Sequence, residues 1–320
     1  MQKHIRTGIG NVSRIKTGRR MYTEALNPYF GYFYTIKETL RKEKTKYQEL
    51  ELVDTDEFGK VLLLDNITQV AERNDYEYHE AMVHPAMCSH PDPETVLIIG
   101  GGDGGILREV LKYPCVKSVE IAELDSGVVE FSKKYLTAVH NGCFDDERVK
   151  ITIADGRLFT QKCKKLFDVV IMDMTDPFGP SKMLYTKEFF KIVKQSFCDS
   201  QGIFVMHSES PVTRPKAFGC IQKTLNSVFA NVNPLYLYIQ MYAVLWSITL
   251  SSDTIDFLKI KPSLIDKRLS KYKVKDLRVY CGATHHSMMV EFPYIQQILK
   301  SPARIITDKK PDFPDDFISC

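Results

Sequence analysis

Residues 95 to 110, ThrValLeuIleIleGlyGlyGlyAspGlyGlyIleLeuArgGluVal, constrain the fold more than any other stretch of the chain. Residues 96 to 99 are apolar without interruption, as a strand buried on both faces of a parallel sheet requires. Six turn residues follow, and Ile106, Leu107, Val110 and Leu111 then recur at helical spacing. Strand, glycine turn and helix in that order form the nucleotide end of a Rossmann-like unit. Gly100, Gly102 and Gly105 satisfy the GxGxxG spacing, which alone is a weak match. Asp103 argues against a dinucleotide, because it puts an anion where a pyrophosphate needs backbone N–H groups. A nucleotide-like ligand without phosphate and with positive charge fits better. S-adenosylmethionine and its relatives, sulfonium cations carrying an amine, meet that description, and NAD does not.

From residue 29 to about 69 the pattern has period two. Leu50 and Val53, then the run 58 to 66, mark strands with GluPheGly and AspAsn as turns. This predicts a small antiparallel sheet ahead of the α/β body. Residues 72 to 85 carry Tyr78, Ala81 and Met82 at helical spacing, with Pro85 expected to end the helix. Strands then alternate with helical stretches: 96 to 99, 119 to 122, 149 to 153, 169 to 172 and 203 to 206, with helices over 128 to 136 and 186 to 196 among them. That alternation predicts a doubly wound parallel sheet of the class I methyltransferase type. Residues 235 to 252 read as two more strands, added antiparallel at its edge. The expected division is a basic arm over 1–28, a β-domain over 29–70, a catalytic domain over 71–300 and a tail over 301–320.

Ligands of such sheets lie beyond the C-terminal strand ends, at the switch point. Each strand end here delivers an acid. Glu123 stands about 20 residues past the glycine turn, where ribose hydroxyls are bound. Asp155, with Gly156, follows the third strand, where a carboxylate can meet an adenine amino group. Asp173 and Asp176 follow the fourth. Any one of these is more often a helix N-cap or a solvated loop acid. Five acids, Asp103 included, at successive strand ends suggest a cavity that repels phosphate and steers polycations inward.

The 43 Lys and Arg against 40 Asp and Glu leave a net charge of +3, too little to imply a nucleic acid partner. No apolar run approaches the roughly 18 residues of a membrane span. The eight cysteines are scattered, with neither a CxxC pair nor metal-ligand spacing, which suits reduced thiols in a cytoplasmic enzyme. Lys3, Arg6, Arg14, Lys16, Arg19 and Arg20 precede the first acid, Glu24. A targeting segment shares that composition, but the apolar face is thin, and a flexible or oligomer-contacting arm is the better reading.

Four segments together resemble the spermidine synthase family of polyamine aminopropyltransferases. They are GlyGlyGlyAspGlyGly (100 to 105), TyrHisGluAlaMet (78 to 82) after LeuAspAsnIleThrGlnValAlaGluArg (64 to 73), AspMetThrAspProPheGlyPro (173 to 180) before LeuTyrThrLysGluPhePhe, and residues 280 to 293, similar to the family's last helix. The resemblance runs from about 29 to 295. It implies transfer of an aminopropyl group from decarboxylated S-adenosylmethionine, a co-substrate, to putrescine or a related amine, with release of 5′-methylthioadenosine and without cofactor or metal. It implies a homodimer or homotetramer built through the N-terminal sheet. Carried over by position, it places the donor at Gly101, Glu123, Asp155 and Gly156, and its aminopropyl end at Gln48, His79 and Asp103. The acceptor amine falls to Tyr78, Asp173, Asp176 and Tyr242, with Asp173 as catalytic base beside Tyr78.

Three departures bear on the acceptor. The turn TyrAlaValLeu (242 to 245) is about one residue shorter than its usual TyrProSerGly-like counterpart. His207 stands where Gln or Glu is common. Glu209 either meets the distal ammonium of a diamine or is an exposed loop acid. The TyrHisGlu and LeuTyrThrLys stretches also resemble plant-type thermospermine synthases, so a longer amine (thermospermine- or spermine-forming), cadaverine or agmatine is an alternative acceptor. An N-methyltransferase using intact S-adenosylmethionine is the rival chemistry, and Asp103, which would repel that donor's carboxylate, argues against it. A non-enzymatic binding protein fits less well, because the Tyr78, Asp173 and Asp176 set is complete.

Overall fold

The computed structural model describes residues 11–14, 19–27, 29–177 and 179–314. Two sheets carry the architecture. The first is a six-stranded antiparallel meander in chain order: β1 (Asn11–Arg14), β2 (Arg20–Asn27), β3 (Phe30–Lys44), β4 (Glu49–Thr55), β5 (Gly59–Leu64) and β6 (Ile67–Ala71). The AspAsn turn joins β5 to β6 with Asp65 and Asn66 both at positive φ, and the Asp65 carboxylate accepts from the Glu49 amide at 2.9 Å. Asn and Asp tolerate that region better than other side chains.

The expected boundary at residue 28 moves towards the start of the chain. The strand β2 pairs with β3 in register from Arg20↔Ile36 to Asn27↔Phe30, and Tyr22 and Glu24 are buried. The basic charges hid this strand, because Arg20 lies along its rim and donates to Thr39 at 2.8 Å. The parts of the expected arm at 1–10, 15–18 and 28 lie outside the described residues.

The second sheet has seven strands: β7 (Thr95–Gly100), β8 (Ser118–Glu123), β9 (Val149–Ile153), β10 (Val169–Asp173), β11 (Ile203–His207), β12 (Asn231–Ile239) and β13 (Val244–Ser252). Their order is β12-β13-β11-β10-β7-β8-β9, with β7 to β11 parallel and the last two antiparallel at the edge, as the sequence pattern predicts. The chain winds outward from β7 in one direction and from β10 in the other, so the switch point lies between those two strands.

The helix Asp75–Ser89 joins the sheets, and it does not stop at Pro85. The ring removes one backbone donor, but nearly every residue from Tyr78 to Ser89 is buried, so packing holds the helix where the local signal would break it. The meander covers the body at a second place. Leu50, Leu52, Leu62 and Val70 pack on Val128, Phe131, Leu136 and Val139, which brings the β3–β4 turn over the helix Ser126–Tyr135. The segment 280 to 293 is not the last helix. It holds only the short helix Gly282–Ser287, and Pro293–Lys300 follows, because Pro293 starts a new helix at its first turn. None of the described helices is long and apolar enough to cross a membrane.

Candidate active site

The switch point is tight enough to demand glycine. Gly100 has φ +84°, and a Cβ there would lie 2.0 Å from the carbonyl oxygen of Asp173 on β10. A Cβ on Gly105 would lie 2.0 Å from the His79 ring. The glycine turn thus lets β10 and the helix Asp75–Ser89 close in from two sides. Gly101 sits under the Asp173 carboxylate, 3.7 Å from where its own Cβ would be.

Asp103 opens onto this junction and is braced. One carboxylate oxygen accepts from the Gly105 amide at 2.7 Å, and the other faces His79 Nε2 at 3.7 Å. His79 Nδ1 meets Asp75 at 3.1 Å, and Arg108 reaches the same Asp75 oxygen at 2.7 Å. Burial alone would discharge the imidazole, but the charges of Asp103 and Asp75 outweigh it and lift His79 to about 10. Burial works against ionised Asp103 too, and His79 overcomes it, so that this carboxyl stays below its usual range. The result is a row, Arg108–Asp75–His79–Asp103, that presents a fixed carboxylate to the cavity.

Asp173, at the end of β10, has the opposite balance. Burial pushes its carboxyl up to about 6 and Asp103 adds to the rise, while His79 and a hydrogen bond from Tyr78 oppose it. The Tyr78 hydroxyl donates to Asp173 at 2.8 Å, and burial keeps that phenol protonated. Two carboxyls in one pocket with diverging proton affinities mark an acid–base site.

The opposite wall is aromatic. Tyr242 meets Tyr78 edge-on at 6.2 Å and donates to the Gln69 carbonyl on β6 at 3.0 Å. Trp246 lies against Tyr242 at 5.3 Å and stacks on His207. His207 Nε2 faces the Met174 carbonyl at 2.7 Å and the Tyr185 hydroxyl at 2.8 Å. A carbonyl only accepts, so the proton sits on Nε2, and burial holds the ring neutral. The shortened turn after Tyr242 is made by Ala243 at φ +52°. Asp176 is half-buried on the loop after β10, where Ser181 donates to its carbonyl at 2.6 Å. Glu209 is 1% exposed, which removes the loop-acid reading, and its charge bears on Tyr185.

On the β8 side, the Glu123 carboxylate lies beside Gly102 and accepts from the Asp125 amide at 2.9 Å, while burial raises it to about 7. Asp155 is exposed and caps the helix Gly156–Lys162, accepting from the Leu158 amide at 2.9 Å; here the commoner role of such an acid is realised. Gly156 is needed for close approach, since a Cβ would meet Ile99 at 2.4 Å. Gln48 donates to Asp125 at 3.0 Å, which sets it beside the Glu123 loop. Thr45 donates to the same Asp125 oxygen at 2.6 Å. Among the described residues, no group of three or more His, Cys, Asp or Glu is arranged to hold a metal ion.

The residues missed from sequence are those one step behind the cavity: Asp75, Arg108, Asp125, Tyr185 and Trp246. Asp75 had a usable signal, standing four residues before His79 on one helix face. The others are brought in by tertiary contacts alone.

Comparisons with known proteins bear on this arrangement. The model of the spermine/spermidine synthase domain matches residues 75–259, and that of the spermidine synthase tetramerisation domain matches residues 21–72. A polyamine aminopropyltransferase of Nitrosomonas europaea is 36% identical over 285 residues, 89% of this chain and 87% of the relative. One of Sulfurisphaera tokodaii is 36% identical over 292 residues, 91% and 96%. A crystal structure of spermidine synthase in complex with the transition-state analogue AdoDATO superposes with a TM-score of 0.80 at 29% identity, covering 93% of this chain and 98% of that one. The spermidine synthase of Thermotoga maritima follows at 0.79 and 29%, covering 93% and 97%.

Proposed function

Because the chain belongs to the spermine/spermidine synthase family and is an aminopropyltransferase, we propose that it moves the aminopropyl group of decarboxylated S-adenosylmethionine to putrescine, giving spermidine and 5′-methylthioadenosine. The observation that carries this reading is the convergence of two braced carboxylates on the glycine turn: Asp173, which accepts from Tyr78 at 2.8 Å beside Gly101, and Asp103, which faces His79 at 3.7 Å.

The donor is a sulfonium cation whose aminopropyl arm ends in an ammonium. Asp103, held ionised by His79, takes that ammonium. Glu123 accepts from the ribose hydroxyls, and Gly156 leaves room for the adenine edge beside Asp155. No cofactor or metal enters the reaction. Putrescine arrives as a diammonium, since a primary amine has a pKa of about 10. Its reacting end lies between Tyr78 and Asp173, and its chain runs along Tyr242 towards Asp176 and Glu209. Asp173 takes a proton from the reacting ammonium, a transfer helped by its raised affinity for protons. The freed lone pair then attacks the methylene carbon next to sulfur as the carbon–sulfur bond breaks, and the bonding pair leaves on sulfur as neutral methylthioadenosine. Holding nitrogen, carbon and sulfur in line supplies a large share of the rate.

Incubation with putrescine and either donor tests the reading. Methylthioadenosine from the decarboxylated donor is expected, and adenosylhomocysteine from the intact one as main product would overturn it. A panel of putrescine, cadaverine, agmatine and spermidine, scored by rate, tests the acceptor. The meander matches the family's tetramerisation domain and exposes Tyr29, Phe30 and Phe33, which supports a homo-oligomer built through it. The described cysteines are free thiols, which supports a cytoplasmic setting.

A further inference from the structure

Residues 302–314 lie beyond both matched family domains and pack against the loop that follows Asp173. Ile306 is fully buried. Its amide donates to Thr224 Oγ1 at 2.9 Å, and its carbonyl accepts from the Lys187 amide at 2.8 Å. This docks the segment beside the helix Lys187–Gln195. Asp308 then makes a two-pronged pair with Arg157, at 2.9 and 2.5 Å, and accepts from Thr186 Oγ1 at 2.7 Å. Arg157 also donates to the Met183 carbonyl at 2.8 Å. Asp308 therefore ties the end of the 174–186 loop to the helix that begins at Gly156. Five residues on, the Phe313 ring meets the Tyr185 ring edge-on at 6.0 Å. The Tyr185 hydroxyl donates to the Thr175 carbonyl at 3.1 Å and faces His207 Nε2. Thr175 stands between Met174 and Asp176, two residues from Asp173. The Lys182–Asp312 pair is solvent-exposed and adds little.

We propose that Asp308 and Phe313 are positioning residues for the acceptor amine, acting through Thr186 and Tyr185 to hold the loop that carries Asp176 in its amine-binding shape. Among the described residues of the loop, the Met174 carbonyl faces His207 Nε2 at 2.7 Å, and three further anchors follow it. Its Thr175 carbonyl is held by Tyr185, its Asp176 carbonyl by Ser181 from within the loop, and its far end by Arg157 and Asp308. A bidentate pair to a planar guanidinium fixes direction as well as distance. An edge-on ring contact fixes the rotation of Tyr185. Together they determine where Thr175 and Asp176 sit relative to Asp173, and so how far apart a diamine's two nitrogens are accepted. Asp308 and Phe313 themselves touch neither substrate.

The inference rests on the assignment of this loop to the amine, so the test has two separate arms. In the first, amide hydrogen exchange over 174–186 is measured without substrate for the unaltered protein, Asp308→Asn, Phe313→Ala and Phe313→Leu. Both Asp308→Asn and Phe313→Ala should exchange faster there, and Phe313→Leu, which keeps most of the packing, should recover protection. In the second, loss of the charge-assisted anchor in Asp308→Asn should raise KM for the amine about fivefold or more, and Phe313→Ala should raise it in the same direction, with kcat and the donor Kd changed by less than about twofold. Unchanged exchange, or faster exchange with an unchanged amine KM, overturns the proposal. The unaltered protein's failure to form methylthioadenosine with any amine would instead strike the functional reading, and the exchange arm would still report on the latch.

Discussion

The two sides of the switch point, proposed above to face the donor and the acceptor, are held by different means. On one side, each acid has a direct hydrogen-bonding or charged neighbour: Asp103 has His79 and the Gly105 amide, Glu123 the Asp125 amide, and Asp125 in turn Thr45 and Gln48 of the β3–β4 turn. On the acceptor side only Asp173 ends a strand. Asp176 rides on a loop whose Thr175 carbonyl accepts from Tyr185, and Tyr185 in turn meets Phe313, over a hundred positions away. Rigid support suits the common part of the reaction, since one sulfonium donor must be held in line. A loop braced from outside suits the variable part, since acceptor amines differ in length. On the proposed reading, then, the chemistry is fixed by the strand ends and the choice of amine by what packs behind them.

The sharpest break in that comparison is Asp173→Asn. Turnover should fall at least about 100-fold, the usual scale of a lost general base, while donor affinity measured by calorimetry stays nearly constant. Turnover within a few-fold of the original would remove Asp173 from the chemistry. A smaller change is expected from Tyr78→Phe. The hydroxyl favours ionised Asp173, so its removal raises that carboxyl further above the ordinary range. Activity requires the ionised form and is lost as pH falls through the folded pKa, so the acidic limb of the kcat/KM profile should move to higher pH. A limb that stays in place or moves down would mean that another group controls it. The rate itself should drop by about tenfold, in keeping with one charge-assisted hydrogen bond.

Asp75→Asn probes the donor half from one step behind. It takes from His79 the partner that, with Asp103, keeps it charged, and it takes from Arg108 one of its two carboxylate partners, Glu109 being the other. Breaking one member of a buried pair destabilises by about 3–5 kcal/mol, so the melting temperature should fall. A merely structural role ends there. If the row steers Asp103, the donor Kd should also weaken by about tenfold, a loss of about 1.4 kcal/mol within the range for hydrogen bonds to charged groups, with the amine KM little changed. Equal losses for donor and amine would argue against a donor-side role.

How far this division is legible in the sequence follows the same line. Asp103, Tyr78 and Asp173 announce themselves because each sits in a short local pattern whose geometry is set by neighbouring residues. The edge strands β12 and β13 are legible for the same reason, as alternating runs with a turn between. Pro85 misleads because the local rule is overridden by a helix buried almost all round, and β2 is missed because Arg20 lies on its rim and of its side chains only Tyr22 and the acid Glu24 are buried. Arg108, Trp246, Asp308 and Phe313 carry no local signal at all. Each is an ordinary residue until the chain folds and places it against Asp75, His207, Arg157 or Tyr185. Gln48 lies between these cases: its residue type is legible, but its partner is set by the meander's packing on the helix Ser126–Tyr135.

Gln48→Ala should therefore give the smallest effect and the finest test of the comparison. The amide makes one half-buried hydrogen bond to Asp125, and Thr45 holds the same oxygen at 2.6 Å, so the carboxylate keeps a partner when Gln48 is lost. Such a bond is worth about 0.5–1.5 kcal/mol, and the remaining donor places the expected loss at the lower end, about two- to threefold in donor Kd. Because Asp125 supports Glu123 through its backbone amide, the loss should fall on the adenosine portion of the donor. Methylthioadenosine, which keeps the adenosine and lacks the aminopropyl arm, should lose as much affinity as the full donor. If only the full donor is weakened, Gln48 works at the aminopropyl end beside Asp103, and the two sides of the donor half must be redrawn.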